Sequence, residues 1–75
     1  MERLPRITAV KIIKALKRGG FFLTRQSGSH KIFKNRVGKR VTVPCHRGKT
    51  IHLKILHSIL RDADFSIEKF KELLK

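Results

Sequence analysis

The chain has 75 residues, room for one compact domain (1–75) but not two, since a folded domain generally needs at least about 50 residues to enclose a core. Lysine and arginine number 19 against five aspartates and glutamates, a formal net charge of +14, and such an imbalance repels itself unless a polyanion or an acidic partner neutralises it. Cys45 is alone, so no disulfide forms within the chain, and Met1 to Arg6 carries charges and Pro5 with no long apolar run behind it; an ordinary secretory signal and a membrane-spanning helix are excluded, and a soluble protein of the reducing cytoplasm with no membrane partner is expected.

From Thr8 to Arg18, Ala9, Ile12, Ile13 and Leu16 fall on one side of a helical wheel while Lys11, Lys14 and Arg18 fall on the other, the pattern of an amphipathic helix. Thr8 is placed to cap its start through the side-chain oxygen, and Gly19-Gly20 to end it through a left-handed residue. Three segments rich in β-branched or aromatic residues follow: Phe21 to Arg25, His30 to Lys34, and Arg40 to Pro44. Gln26-Ser27-Gly28-Ser29 and Asn35-Arg36-Val37-Gly38-Lys39 separate them, so they read as two consecutive hairpins forming an antiparallel three-stranded meander. Gly28 and Gly38 suit turn positions that need positive φ, and Pro44 suits a strand end because it lacks a ladder donor.

In the last third, Leu53, Leu56, Ile59, Leu60 and Ala63 share a helical face. After the break at Asp64-Phe65-Ser66, the residues Ile67, Phe70, Leu73 and Leu74 share another. Ser66 is placed as an N-cap, with Glu68 in the first turn where negative charge suits the helix dipole. Thr50 and His52 compete for the start of the preceding helix. The order α-β-β-β-α-α implies an α+β domain whose helices cover one face of a small antiparallel sheet and leave the other accessible. It is also the layout of the double-stranded-RNA-binding domain, although a layout does not establish a function.

The residues able to do chemistry are few. Of the five acids, Glu2 stands near the start and Asp62, Asp64, Glu68 and Glu72 in the C-terminal helical region. They form no paired-carboxylate site, which argues against the acid-lined two-metal centres of many nucleases. His46, His52 and His57 lack the i, i+4 spacing of a helical zinc pair and a helping cysteine motif, so neither a metal nor another cofactor is expected. His57 lies near the edge of its helix's apolar face, where packing or solvation accounts for it.

His30 differs, because it follows Gly28-Ser29 directly, at the join between a turn and a strand. An imidazole presented there can take or give a proton near neutral pH, the central need in phosphodiester cleavage. By residue type and position alone, an exposed strand-end histidine of no consequence fits equally well. Cations such as Arg25, Lys31 and Lys34 can hold an RNA phosphate and stabilise the charge added in its transition state. Lys11, Lys14 and Arg18 offer a solvated helix face that also suits phosphate contact.

The segment Gly28-Ser29-His30-Lys31-Ile32-Phe33, followed by Val41-Thr42-Val43-Pro44-Cys45-His46-Arg47-Gly48-Lys49, resembles the HicA family of toxin ribonucleases. Ile12-Ile13-Lys14-Ala15-Leu16 with Gly20-Phe21, and Leu56-His57-Ser58-Ile59-Leu60, look like that family's helix-strand junction and second helix, so the resemblance covers nearly the whole chain. It implies a double-stranded-RNA-binding-like fold, metal-independent cleavage of messenger RNA, and a growth-arresting toxin held in check by a HicB antitoxin. It places the catalytic histidine at His30, the two positions before it at Gly28 and Ser29, and the histidine after the Val-Pro strand at His46. A Pro-Gly pair expected ahead of the second helix is missing, and His52-Leu53-Lys54 stands there.

Under that resemblance His46 contacts phosphate or assists the reaction, with Arg47, Gly48 and Lys49 as a basic, flexible approach; bracing of the loop is the equal alternative. In the leading mechanism His30 draws a proton from a ribose 2′-OH, whose oxygen attacks the adjacent phosphorus and leaves a 2′,3′-cyclic phosphate, proximity replacing a bimolecular attack. Attack by water is the other route. Two further readings stay open: a non-catalytic RNA-binding module of the same fold, and a protein-interaction domain whose basic face meets an acidic partner.

Overall fold

The first helix, α1 (Ala9–Arg18), buries Ala9, Ile12, Ala15 and Leu16 and turns Lys11, Lys14, Lys17 and Arg18 outward. It belongs to a computed structural model that describes residues 6–46 and 48–75. The elements after it are β1 (Phe22–Ser27), β2 (His30–Lys34), β3 (Arg40–Pro44), α2 (Leu53–Ala63) and α3 (Ile67–Leu74), the α+β order read from the sequence.

Thr8 is the N-cap of α1, but its side chain makes no capping bond. The expectation of a side-chain cap is therefore corrected: Thr8 is held through its backbone, in a bridge to Thr50 and as acceptor from the Ile12 N–H at 3.2 Å. At the other end Gly20, with φ 97, is the left-handed residue, while Gly19 keeps φ −84. Phe21 N–H donates to the Leu16 carbonyl and Gly20 N–H to that of Lys17, the paired closure of a Schellman motif. Phe21 is spent on that closure and buried, so β1 begins one residue later than its pattern suggests.

The strands form a three-stranded antiparallel sheet in the order β1-β2-β3. Ser27 pairs with His30, so the first hairpin turns on Gly28-Ser29 alone and β1 runs on to Ser27, correcting the expected end at Arg25. Gly28 has φ 58 at the first central position, where a two-residue type II′ turn takes glycine. Between Leu23 and Arg25 the register shifts, an irregularity that re-aims the rest of the edge strand. The longer second turn is tied by Asn35, whose Oδ1 accepts from the Lys39 N–H at 2.8 Å.

His52, not Thr50, starts α2: its Nδ1 accepts from the Lys54 N–H at 3.1 Å. Leu53, expected on the buried face, is 36% exposed because it occupies the first helical position, and Leu56, Ile59, Leu60 and Ala63 form the buried stripe. Asp64, at φ 61, reverses the chain, and Ser66 Oγ accepts from the Lys69 N–H at 3.0 Å to open α3. α2 packs on β3, and α1 packs on α3 and β3. The shared core joins Ile12 and Leu16 to Phe33, Val41, Val43, Leu56, Ile59 and Phe70. Among the described residues no helix is long and apolar enough to cross a membrane.

Candidate active site

β2 is the central strand, so His30 at its start has neighbours on both sides, Ser27 of β1 and Pro44 of β3. Side chains alternate between the two faces of a strand, and the buried residues show which face is which. Phe33 pairs with Val41 and Lys31 with Val43, and Phe33, Val41 and Val43 are buried against the helices. His30, Ile32 and Lys34 therefore stand on the other face, the one no helix covers. Their cross-strand partners share it: Ser27, Arg25 and Phe22 on one side, Pro44, Thr42 and Arg40 on the other.

The open face thus gathers exposed His30, Arg25, Lys34 and Arg40 around half-buried Ile32. Lys34 and Arg40 are direct partners, and like charges so placed destabilise a sheet unless an anion lies over them. No acidic residue belongs to this face among the described residues. The His30 imidazole forms no hydrogen bond with any other described residue.

The end of the sheet that carries His30 is tied together by short bonds. Cys45 N–H donates to the Ser29 carbonyl at 2.6 Å, which brings the residue before His46 against the residue before His30. Gln26 Nε2 donates to the Gly28 carbonyl at 3.1 Å, bracing the turn that presents His30. His46 is exposed, and its carbonyl accepts from the Lys49 N–H at 3.2 Å. Behind this end, between the sheet and the first turn of α1, lies a cleft of about 530 Å³. Val10 and Ile13 form its helical wall, and Gln26, Lys31, Cys45 and His46 its sheet side.

The residues singled out in the sequence therefore divide. Gly28, Ser29, His30, Arg25 and Lys34 meet at or on the open face, whereas Lys31 and His46 line the cleft on the helical side. Lys11, Lys14 and Arg18 join neither group: they flank a groove of about 370 Å³ between α1 and α3, floored by Ile7, Leu73 and Leu74. Arg18 is engaged there, its guanidinium donating to the carbonyls of Leu73, at 2.8 Å, and of Lys75. Lys49 is exposed beyond His46, and Arg47 lies outside the described residues. Among the described residues no three of His, Cys, Asp and Glu converge as a metal site.

Arg40, Gln26 and Val10 were not singled out. Arg40 could be found by carrying the period-two alternation from His30 across the second hairpin, and Gln26 by setting the first turn at two residues. Val10 gave no signal, since an apolar residue on the polar side of an amphipathic helix is common.

A comparison with curated proteins returned no match. A family model described as the HicA toxin of bacterial toxin-antitoxin matches residues 10–65, a span that holds nearly all of α1, the entire sheet, the end carrying His30 and His46, and α2. The chain belongs to the HicA toxin family of bacterial toxin-antitoxin systems.

Proposed function

We propose that this toxin is an endoribonuclease that cleaves messenger RNA without a metal ion, with His30 as the general base, and that a HicB-like antitoxin holds it inactive. The observation that carries this reading is the exposed imidazole of His30, which bonds to no other described residue, at the start of the central strand on a sheet face that also bears Arg25, Lys34 and Arg40. A basic face without acids suits a phosphate backbone. Side-chain cations there can stabilise the charge that builds on the scissile phosphate.

In the reaction, His30 accepts the proton of a ribose 2′-OH. The 2′ oxygen attacks the adjacent phosphorus, and the bond from phosphorus to the 5′ oxygen breaks. The leaving 5′ oxygen takes a proton from water and protonated His30 returns its own to the solvent, giving a 2′,3′-cyclic phosphate and a 5′-hydroxyl end. Ser29 and Gly28 position His30 through the two-residue turn, with Gln26 bracing the Gly28 carbonyl. His46, which follows the Cys45 backbone bonded to Ser29, contacts the RNA from the helical side, and the exposed Lys49 lies on the same approach.

Product-end analysis tests the chemistry. RNA cut by the protein should end in a cyclic phosphate, and the same strand with a 2′-deoxy sugar at the cleaved position should bind and stay intact. Linear phosphate ends formed directly, or cutting of the deoxy strand, would show that water and not the 2′ oxygen attacks. An acidic HicB-like protein should suppress cleavage at one equivalent; undiminished cleavage would remove it as the partner.

A further inference from the structure

The cleft behind the His30 end of the sheet takes no part in the proton transfer above, although His46 in its lining contacts the RNA, and that lining has a definite character. Val10, 61% exposed although apolar, and Ile13 make one wall. The facing side offers the Lys31 ammonium, the His46 ring and the Gln26 amide. The Gln26 amide nitrogen is taken by the Gly28 carbonyl, and no other described residue bonds its oxygen. An apolar wall opposite a few hydrogen-bonding groups is how pockets for small ligands are built, and about 530 Å³ lies within their usual range of about 300–1,000 Å³.

Position narrows the choice of ligand. Lys31 follows His30 in the strand and so points to the opposite face, and His46 follows the residue tied to Ser29. Cleft and imidazole are thus the two sides of one sheet end. A single RNA strand crossing that end with a phosphate at His30 can turn an unstacked base into the cleft, and sequence-specific recognition of RNA targets such splayed bases.

We infer that the cleft formed by Val10, Ile13, Gln26, Lys31 and His46 is a nucleobase-binding subsite that sets where along an RNA strand the toxin acts. The inference rests on the RNA-cleaving reading for its purpose, but it can be tested without cleavage. Cys45 lines the cleft, is half-buried and is the chain's single cysteine, so its alkylation by iodoacetamide reports occupancy.

The probes are short deoxyribo-oligonucleotides, which lack the 2′-OH, and an abasic strand of the same length and charge. Only free protein reacts, so a base-bearing strand at about three times its Kd should slow alkylation about fourfold. The abasic strand at equal occupancy should leave the rate nearly unchanged. Val10→Asn, at an exposed position, should lose the protection while Val37→Asn, in the distant second turn, keeps it. Equal protection by the abasic strand, or none from any strand, overturns the inference. Protein that cuts RNA through His30 without base-dependent protection refutes the subsite alone, and protein that shows the protection without cutting RNA refutes the cleavage reading alone.

Discussion

Replacing Gly19 by alanine sets two effects of opposite sign against each other. Gly19 has φ −84 and ψ 7, which alanine adopts freely, so the loss of unfolded-state freedom alone would stabilise the fold by about 0.4–1 kcal/mol. The space is missing, however: a Cβ there would overlap Cζ of Phe65 and stand 3.2 Å from Cδ1 of Leu73. The Phe65 ring does not swing away cheaply, because it meets Phe21 edge-on at 5.6 Å and 90°, with Lys69 Nζ 5.3 Å from its centroid. Overpacking a filled site costs about 1–3 kcal/mol, and an overlap against a ring held on both sides takes the upper half of that range, about 2–3 kcal/mol, so the net loss is about 1–2.5 kcal/mol. In a domain of this size each kcal/mol moves Tm by about 4–8 °C, giving a fall of about 4–20 °C. Thermal melts followed by circular dichroism measure it, and Gly19→Ala combined with Phe65→Leu should lose less than the sum of the single changes, since the shorter side chain removes the clash. An unchanged or raised Tm for Gly19→Ala, or strict additivity in the pair, would refute the argument. Below the melting range the variant should cleave RNA normally, because Gly19 lies beside Phe22, Asn35 and Val37, at the opposite end of the sheet from the His30 pairing with Ser27 and Pro44.

Three further outcomes follow from the same geometry. Ser66→Ala should cost about 1 kcal/mol because its Oγ caps α3, whereas Thr8→Ala should cost clearly less in the same melts, its side chain making no capping bond. Arg18→Ala frees the carbonyls of Leu73 and Lys75, so amide exchange in the last turn of α3 should quicken by an amount equivalent to about 0.5–1 kcal/mol, and unchanged exchange would make those bonds irrelevant to the helix end. Arg25→Gln or Arg40→Gln should flatten the dependence of log affinity for single-stranded RNA on log salt by about 0.7, while Lys69→Gln on α3 leaves it alone; the reverse ranking would move the RNA to the helical side.

The helices and strands were readable because each repeats its apolar residues at its own period and is bounded by residues with a mechanical reason to stop it. Ser66 and Gly20 act as their types suggest. The errors arose where tertiary structure intervened. Phe21 has strand-like character but is consumed by helix closure and by its contact with Phe65. Leu53 fits the apolar stripe yet sits at the exposed first position of α2.

His30 could be singled out from its turn and its family resemblance, but its companions could not be sorted by face. A shift of one residue in register sends every side chain to the opposite side, and the turn between β1 and β2 proved two residues shorter than its Gln-Ser-Gly-Ser sequence suggests. That is why Lys31 and Lys34 looked equivalent and Arg40 went unnoticed. The engagement of Arg18 with a helix end 55 residues away leaves no mark in a local pattern.

The most direct test of the central claim is cleavage of end-labelled RNA in excess chelator, by the wild type and by a folded His30→Ala variant that still binds RNA. The wild type should cut and the variant should not, which would fix a metal-free ribonuclease working through His30. Equal cleavage by both would take His30 out of the mechanism, and no cleavage by either across varied RNAs would leave a basic RNA-binding module without catalysis.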